Sequence, residues 1–314
     1  MNTALAIAIV LPAYNEAETI AETIRSFYAE LPEARIYVVD NASTDGTGAI
    51  AADTLAALGA TGGVIQERRK GKANAVRRAF LDIEADVYLM SDADCTYPAE
   101  RARDLLAPVL AGTADMVVGD RHSLGHYASE NKRPLHGAGN RLVQALVNRL
   151  FHAQLADILS GYRAFSRRFI KGYPIIVEGF EIEADVTLHA LDKRFRIVEV
   201  PVEYRDRPVG SVSKLNTLRD GARVVWVIVQ LFRHYRPMVF FGALSIAMFA
   251  FGVAASVPVF DDWIRYRYIY HVPLAILAAS SVIVATILFA VGLILDGIAH
   301  DQRMRYELSL LRDR

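Results

Sequence analysis

Two stretches of this 314-residue chain, 238–260 and 272–295, contain no Asp, Glu, Lys or Arg. Each reaches the roughly 20 apolar residues needed to cross a bilayer. Two buried core helices are the alternative. If both segments span, the chain before the first and after the second lies on one side of the membrane. Arg223, Arg233 and Arg236 precede the first stretch and Arg303 and Arg305 follow the second, while the loop between sets Arg265 and Arg267 against Asp261 and Asp262. The positive-inside rule then puts the N-terminal body and the C-terminal tail in the cytoplasm. The expected organisation is a body over 1–214, a juxtamembrane amphipathic segment over 215–237, a two-helix membrane anchor over 238–298 and a cytoplasmic tail over 299–314.

Residues 4–11 are apolar too, but they lack a basic leader and a cleavage site and run straight into Pro12-Ala13-Tyr14-Asn15-Glu16. They read as a first strand, not a signal peptide. Acidic and basic residues balance at 35 each, and the basic clusters are short and interleaved with acids, so no nucleic-acid partner is expected. The single cysteine, Cys95, excludes an intrachain disulfide and suits a reducing, cytosol-facing body.

Short runs of Val, Ile, Tyr, Leu and Met at 5–11, 35–39, 63–66, 87–90 and 116–118 alternate with segments of helical length such as 17–30 and 72–84. This pattern predicts a mostly parallel sheet covered by helices. A dinucleotide-binding domain would need Gly-x-Gly-x-x-Gly after its first strand. Pro-Ala-Tyr-Asn-Glu stands there instead, which argues against hydride chemistry.

Ser91-Asp92-Ala93-Asp94 follows the fourth run, so two carboxylates are expected at the C-terminal end of a buried strand, where open α/β sheets bind ligands. Alone, an Asp-x-Asp is an ordinary solvated turn. Paired with substrate phosphate, it suits Mg²⁺ or Mn²⁺, which take one or two protein carboxylates and complete their shell with water and phosphate oxygens. Two further loops favour that reading. Asp40-Asn41-Ala42-Ser43-Thr44-Asp45-Gly46-Thr47 supplies carboxylates and hydroxyls at a helix start, and Arg68-Arg69-Lys70-Gly71-Lys72-Ala73-Asn74 places a glycine among cations at another. A helix cap and a solvated basic face are their simpler alternatives. Together the three loops fit a nucleotide diphosphate held beside a metal.

These motifs, with Leu11-Pro12-Ala13-Tyr14-Asn15-Glu16 before them and Pro98, Glu100, Ser160-Gly161-Tyr162-Arg163-Ala164-Phe165 and Ser211-Val212-Ser213-Lys214-Leu215 after them, stand in the order of family 2 glycosyltransferases. The chain most resembles the polyprenol-phosphate (dolichol-phosphate) sugar synthases, over about residues 5–236. The resemblance implies an α/β GT-A fold, Rossmann-like with a mostly parallel sheet, followed by an interfacial helix and a two-helix transmembrane anchor. It also implies inverting, metal-dependent transfer of a hexose from a nucleotide sugar, GDP-mannose or a UDP-hexose, to polyprenyl or dolichyl phosphate. Carried over by position, Pro12, Tyr14, Glu16, Asp40 and Lys72 line the nucleotide pocket with Asp92 and Ala93. Asp92 and Asp94 meet the metal, and Arg207 and Lys214 belong to a loop closing over the donor diphosphate; a basic linker attracted to anionic lipid is that loop's alternative. Two departures stand out: Asp40-Asn41 where many members have two aspartates, and Cys95-Thr96 where many have Leu-Gln.

The acceptor side follows from charge. A polyprenyl phosphate is already ionised near neutral pH, so it needs relief from repulsion by the donor diphosphate more than a base. At about 5 Å and an effective dielectric of 20, that repulsion is roughly 3 kcal/mol per pair of unit charges. Arg121, Lys132, Arg133 and His136 are the candidate cations; Arg121 and Lys132 match acceptor-phosphate positions in relatives, and His136 reads equally as a surface histidine. Asp157 resembles a family carboxylate that orients the acceptor or acts as base, with a helix start as the alternative. Residues 223–236 enclose an apolar run suited to a helix lying against membrane lipid. Transfer to another membrane acceptor and a noncatalytic nucleotide-sugar-binding membrane subunit are the rival readings. A homo-oligomer is compatible with the sequence, which does not set the oligomeric state.

Overall fold

A computed structural model describes residues 5–123, 134–179, 181–205, 229, 233 and 235–312. The chain divides into two compact units, Met1–Val224 and Val225–Arg314.

The first unit is built on a seven-stranded sheet. Its elements run β1 (Ile7–Ala13), α1 (Ile20–Glu30), β2 (Arg35–Asp40), α2 (Thr47–Leu58), β3 (Gly62–Gln66), α3 (Lys72–Asp82), β4 (Val87–Met90), α4 (Ala102–Leu110), β5 (Met116–Asp120), α5 (Pro134–Phe151), β6 (Arg163–Ser166), α6 (Arg167–Gly172), α7 (Ile182–Asp192) and β7 (Ile197–Pro201). The strand order is β3-β2-β1-β4-β6-β5-β7. All neighbours pair in parallel except β6, which runs against both β4 and β5.

Alternation along the strands sends successive side chains to opposite faces. Ile9, Leu11 and Ala13 of β1, Leu89 of β4 and Ala164 of β6 join one core with Ile24 and Phe27 of α1, Leu55 of α2 and Leu105 of α4. On the other face, Phe80 of α3 meets Tyr88 and Phe165 edge-on, and Phe165 stacks on Phe169 of α6. Strands buried on both faces explain why the sequence shows continuous apolar runs instead of strict alternation.

The structure extends the expected strands. β1 runs on to Ala13 because Pro12 and Ala13 pair with Val39 and Asp40, which brings Tyr14 to the rim. β6 and β7 were not among the sequence-based strands. β6 is four residues long and opens on the fully buried Arg163, so it offers no apolar run to detect. Being antiparallel, it delivers its N-terminal end, with Ser160-Gly161-Tyr162 before it, to the rim where the parallel strands terminate.

The second unit contains two long helices, α8 (Pro237–Tyr266) and α9 (Val272–Arg312). Both are long and apolar enough to cross a membrane. They pack through small residues: Ser245 Oγ donates to the Ala285 carbonyl at 2.7 Å, and Ala278, Ser281 and Ala285 are buried. Ile246, Phe249, Val257, Ile283 and Ile287 stay exposed, an arrangement that fits a lipid surround and not water. At the turn, the Asp262 carboxylate accepts from the backbone of Tyr270 and His271 and pairs with His271 Nδ1 at 2.7 Å.

Candidate active site

Every strand except the antiparallel β6 ends at one rim, and the motif residues collect there. The loops after β1 and β2 are knitted together: Asn15 N donates to Ser43 Oγ at 3.0 Å, Thr44 N to Asn15 Oδ1 at 2.8 Å and Glu16 N to Thr47 Oγ1 at 2.9 Å. Asn15 has a φ of 53°, a left-handed conformation that asparagine tolerates better than most residues. Asp40 is buried and its carboxylate accepts from Ser43 N and Gln66 Nε2, both at 3.0 Å. Tyr14 is partly exposed, with Lys70 Nζ 5.5 Å from its ring centroid.

The first departure from the family pattern has a local cause. Asn41 donates to the carbonyls of Arg69 at 2.6 Å and Glu67 at 3.3 Å and accepts from Gly71 N at 2.7 Å. An aspartate could accept the last bond but would face two carbonyls with no donor. Asn41 therefore fixes the cationic loop before α3 to the end of β2.

The Asp92-Ala93-Asp94 turn is held from below by α1: Thr19 Oγ1 donates to the Ala93 carbonyl at 2.8 Å. Asp92 pairs with Lys72 Nζ, which also pairs with Glu183 at 2.6 Å. Burial alone would lower the lysine pKa, but the two carboxylates override it and hold the ammonium above its usual range. Gly161 packs directly on this pair: a Cβ there would lie 3.0 Å from both Asp92 Oδ2 and Lys72 Nζ. The glycine of the Ser-Gly-Tyr-Arg motif is thus a close-approach residue.

Asp94 is buried, and its Oδ1 accepts from Thr96 Oγ1 at 2.6 Å and Thr96 N at 3.2 Å. The second departure is explained in part: Thr96 orients Asp94. Cys95 sits at a φ of 61° and turns its thiol away, 3.2 Å from Thr23 Oγ1. Asp92 and Asp94 offer hard oxygen donors suited to Mg²⁺ or Mn²⁺. Among the described residues no group of three or more His, Cys, Asp or Glu is arranged to hold a metal. A divalent cation fits only if shared with substrate oxygens.

Beyond β5 lies a second charged cluster. Arg121 binds Asp157 with two prongs, and the guanidinium carbon lies 5.6 Å from the Tyr204 ring centroid. Burial raises the Asp157 pKa, but Arg121 outweighs it and holds the carboxyl below the usual range. Glu199 of β7 in turn accepts from the backbone of Ala156 and Asp157, both at 2.8 Å. Tyr97 joins the two clusters. Its hydroxyl accepts from Gly161 N at 2.9 Å, and its pKa is pushed up to about 12, chiefly by burial, with Arg121, Asp92, Lys72 and Asp157 all near enough to act on it.

The structure thus gathers Pro12, Tyr14, Glu16, Asp40, Lys72, Asp92, Ala93 and Asp94 at adjoining strand ends, and Arg121 with Asp157 beside them. Arg207, Lys214, Lys132 and Arg133 lie outside the described residues, and of His136 only the backbone, in α5, is described. Glu183, Tyr97, Glu199 and His122 were not among the sequence-based candidates. His122 Nε2 lies 3.9 Å from Asp157 Oδ1. Only the position of His122, directly after Arg121, offered a signal.

Comparison with known proteins decides the family. The model of glycosyl transferase family 2 matches residues 8–173, from β1 through α6. The chain belongs to glycosyl transferase family 2. Glycosyltransferase AglJ of Haloferax volcanii is 34% identical over 302 residues, covering 96% of this chain and 94% of that protein. Undecaprenyl-phosphate mannosyltransferase of Micrococcus luteus is 32% identical over 226 residues, 69% of this chain and 90% of that one. Among solved structures, glucosyl-3-phosphoglycerate synthase of Mycobacterium tuberculosis in complex with uridine diphosphate superposes with a TM-score of 0.57 at 23% identity, covering 73% of this chain and 79% of that chain. That likeness is one of fold, and it places the catalytic unit of this family 2 glycosyltransferase in the GT-A class. The two long apolar helices are its candidate membrane spans.

Proposed function

We propose that this glycosyltransferase moves a hexose from a nucleotide sugar to a polyprenyl phosphate, with inversion at the anomeric carbon. The observation that carries the acceptor class is the Arg121–Asp157 pair. A hydroxyl acceptor needs a carboxylate to take its proton, and Asp157, the family candidate for that work, is committed to a guanidinium that keeps it ionised and weakly basic. A phosphate acceptor needs a cation instead, and Asp157 orients one. The name of the Micrococcus luteus relative points the same way.

On the donor side, Pro12, Tyr14, Glu16 and Asp40 line the nucleotide pocket, with Ala93 and the Lys72–Asp92 pair at its floor. Asp94 and Asp92 hold Mg²⁺ or Mn²⁺, which when bound neutralises charge on the leaving diphosphate. Thr96 sets the orientation of Asp94. Arg207 and Lys214 close over the donor, and Lys132, Arg133 and His136 add charge on the acceptor side. The fold contributes one rim on which both phosphates meet.

We also propose that the catalytic unit, 1–214, faces the cytoplasm, where nucleotide sugars are supplied, with 215–237 lying on the lipid and 299–314 on the same side. Arg233, Arg236, Arg303 and Arg305 flank the hairpin there. On the loop, Arg265 is offset by Asp261 at 2.8 Å. Tethering gives a lipid-borne acceptor a high effective concentration.

Labelled UDP- and GDP-sugars supplied with polyprenyl phosphate and the full-length protein in vesicles test this reading. The expected product is soluble in organic solvent and labile to mild acid, as a sugar phosphodiester is. A product that resists mild acid, or label found only in glycan or protein, overturns the polyprenyl-phosphate assignment.

A further inference from the structure

Glu183 belongs to none of the sequence motifs, yet it is 6% exposed and its Oε1 lies 2.6 Å from Lys72 Nζ. The same ammonium pairs with Asp92. Of the two carboxylates, Asp92 is the more open, its side chain 29% exposed against 8% for Glu183. Lys72 therefore stands between a carboxylate at the site and a carboxylate behind it. One cation shared by two anions leaves the trio with a net charge of minus one. Moving Lys72 out to meet a diphosphate would strand Glu183 as a buried, unpaired charge, which is strongly unfavourable.

The support of Glu183 is itself rigid. It sits in the first turn of α7, and its carbonyl accepts from Arg163 Nη2 at 3.1 Å. The fully buried Arg163 also donates to Ser160 O and Ile158 O, each at 2.7 Å, and to Thr187 Oγ1 at 2.8 Å. The turn carrying Gly161 is thereby clamped to the helix carrying Glu183. One residue before Lys72, Gly71 adopts a φ of 130°, and its α-carbon abuts the Glu178 carbonyl so closely that no side chain fits. The loop carrying Lys72 is thus braced against the segment leading to Glu183.

We infer that Glu183 is a positioning residue: it anchors Lys72 from behind so that the ammonium fixes the carboxylate of Asp92 and does not serve as a grip on the donor's phosphates. This rests on the reading of Asp92 as a donor-site residue. It also assigns Lys72 a role different from that of a phosphate-binding lysine in a glycine-containing loop.

The test compares the full-length wild type, Glu183→Gln and the double variant Lys72→Met with Glu183→Gln, in which neither Lys72 nor Glu183 remains as a buried charge without the other. Turnover is measured with the labelled donor that the wild type uses, and UDP and GDP binding is measured calorimetrically. Thermal melts confirm folding. Glu183→Gln is expected to lower kcat at least tenfold, about 1.4 kcal/mol of barrier, with acceptor KM within twofold and nucleotide affinity within threefold of wild type. The double variant is expected to match Glu183→Gln within threefold in both measurements, because Lys72 without its anchor no longer serves Asp92. Wild-type turnover in Glu183→Gln, or a tenfold loss of nucleotide affinity on adding Lys72→Met, overturns the assignment. A wild type that neither binds UDP or GDP nor uses any nucleotide sugar overturns the donor reading itself, an outcome visible before any variant is made.

Discussion

Arg121 and Asp157 form a buried, two-pronged ion pair, with Nε to Oδ2 at 2.7 Å and Nη2 to Oδ1 at 3.0 Å. Asp157 is 2% exposed and also accepts from the backbone of Arg121 at 3.3 Å and Leu159 at 3.1 Å. Its two oxygens are thus occupied by donors that favour the ionised form. The pair joins the end of β5 to the loop before β6, so charge at this site is built into the fold.

The pair predicts a specific acid sensitivity. The Asp157 pKa is lowered in the folded protein from a reference of 3.8, so its contribution to stability is complete above that reference and is lost as pH falls through the lower folded value. Unfolding free energy of solubilised wild type minus that of Asp157→Asn should be constant above about pH 5 and shrink below about pH 4. A gap that does not change with pH would show that Asp157 contributes through shape alone.

Thr96 tests the orientation of Asp94. Thr96→Val removes the hydroxyl bonded to Asp94 Oδ1 while keeping the volume of a residue that is almost fully buried. Turnover should fall about tenfold, about 1.4 kcal/mol, with a higher cation concentration needed for half-maximal rate. Asp94→Ala should abolish transfer. Unchanged Mg²⁺ and Mn²⁺ titrations in Thr96→Val would remove Thr96 from the metal's surroundings.

Much of this was legible in the sequence because rim residues follow apolar runs directly. Asp92 and Asp94 come just after β4, Asp40 ends β2 and Lys72 starts α3, so strand and helix signals located them. Glu183 and Glu199 were not legible. Each acts on a residue far away in sequence, Lys72 or the Asp157 loop, and nothing local distinguishes it from other helix or strand carboxylates. β6 was hidden for a related reason: Arg163 is a buried charge at a strand start, tolerated only because four oxygen acceptors from the loop before it and from α7 surround its guanidinium. Long-range satisfaction of this kind leaves no periodic trace.

Asn41 gives a test of the family departure. Asn41→Asp places a carboxylate against the carbonyls of Glu67 and Arg69, which lose their donor. Leaving such buried groups unsatisfied costs about 1–3 kcal/mol. The variant should melt at a lower temperature and bind UDP or GDP more weakly, since of the three bonds that tie this loop to residue 41 only the one from Gly71 N is kept. Wild-type melting and nucleotide affinity would show that the loop tolerates either residue.

Arg121 separates acceptor chemistry from fold. Arg121→Ala removes the partner of a buried carboxylate and should destabilise the protein by about 3–5 kcal/mol, which obscures any kinetic reading. Arg121→Lys is the better probe: it keeps a positive charge beside Asp157 but loses the planar fork that can engage a carboxylate and a phosphate with separate N–H groups. The fold should persist. With polyprenyl phosphate as acceptor, KM for the lipid should rise about tenfold, while donor KM stays within twofold, because the proposed donor pocket is formed by the loops after β1, β2 and β4. A change confined to donor KM would move Arg121 to the donor side, and unchanged kinetics for both substrates would leave the Arg121–Asp157 pair a purely structural brace.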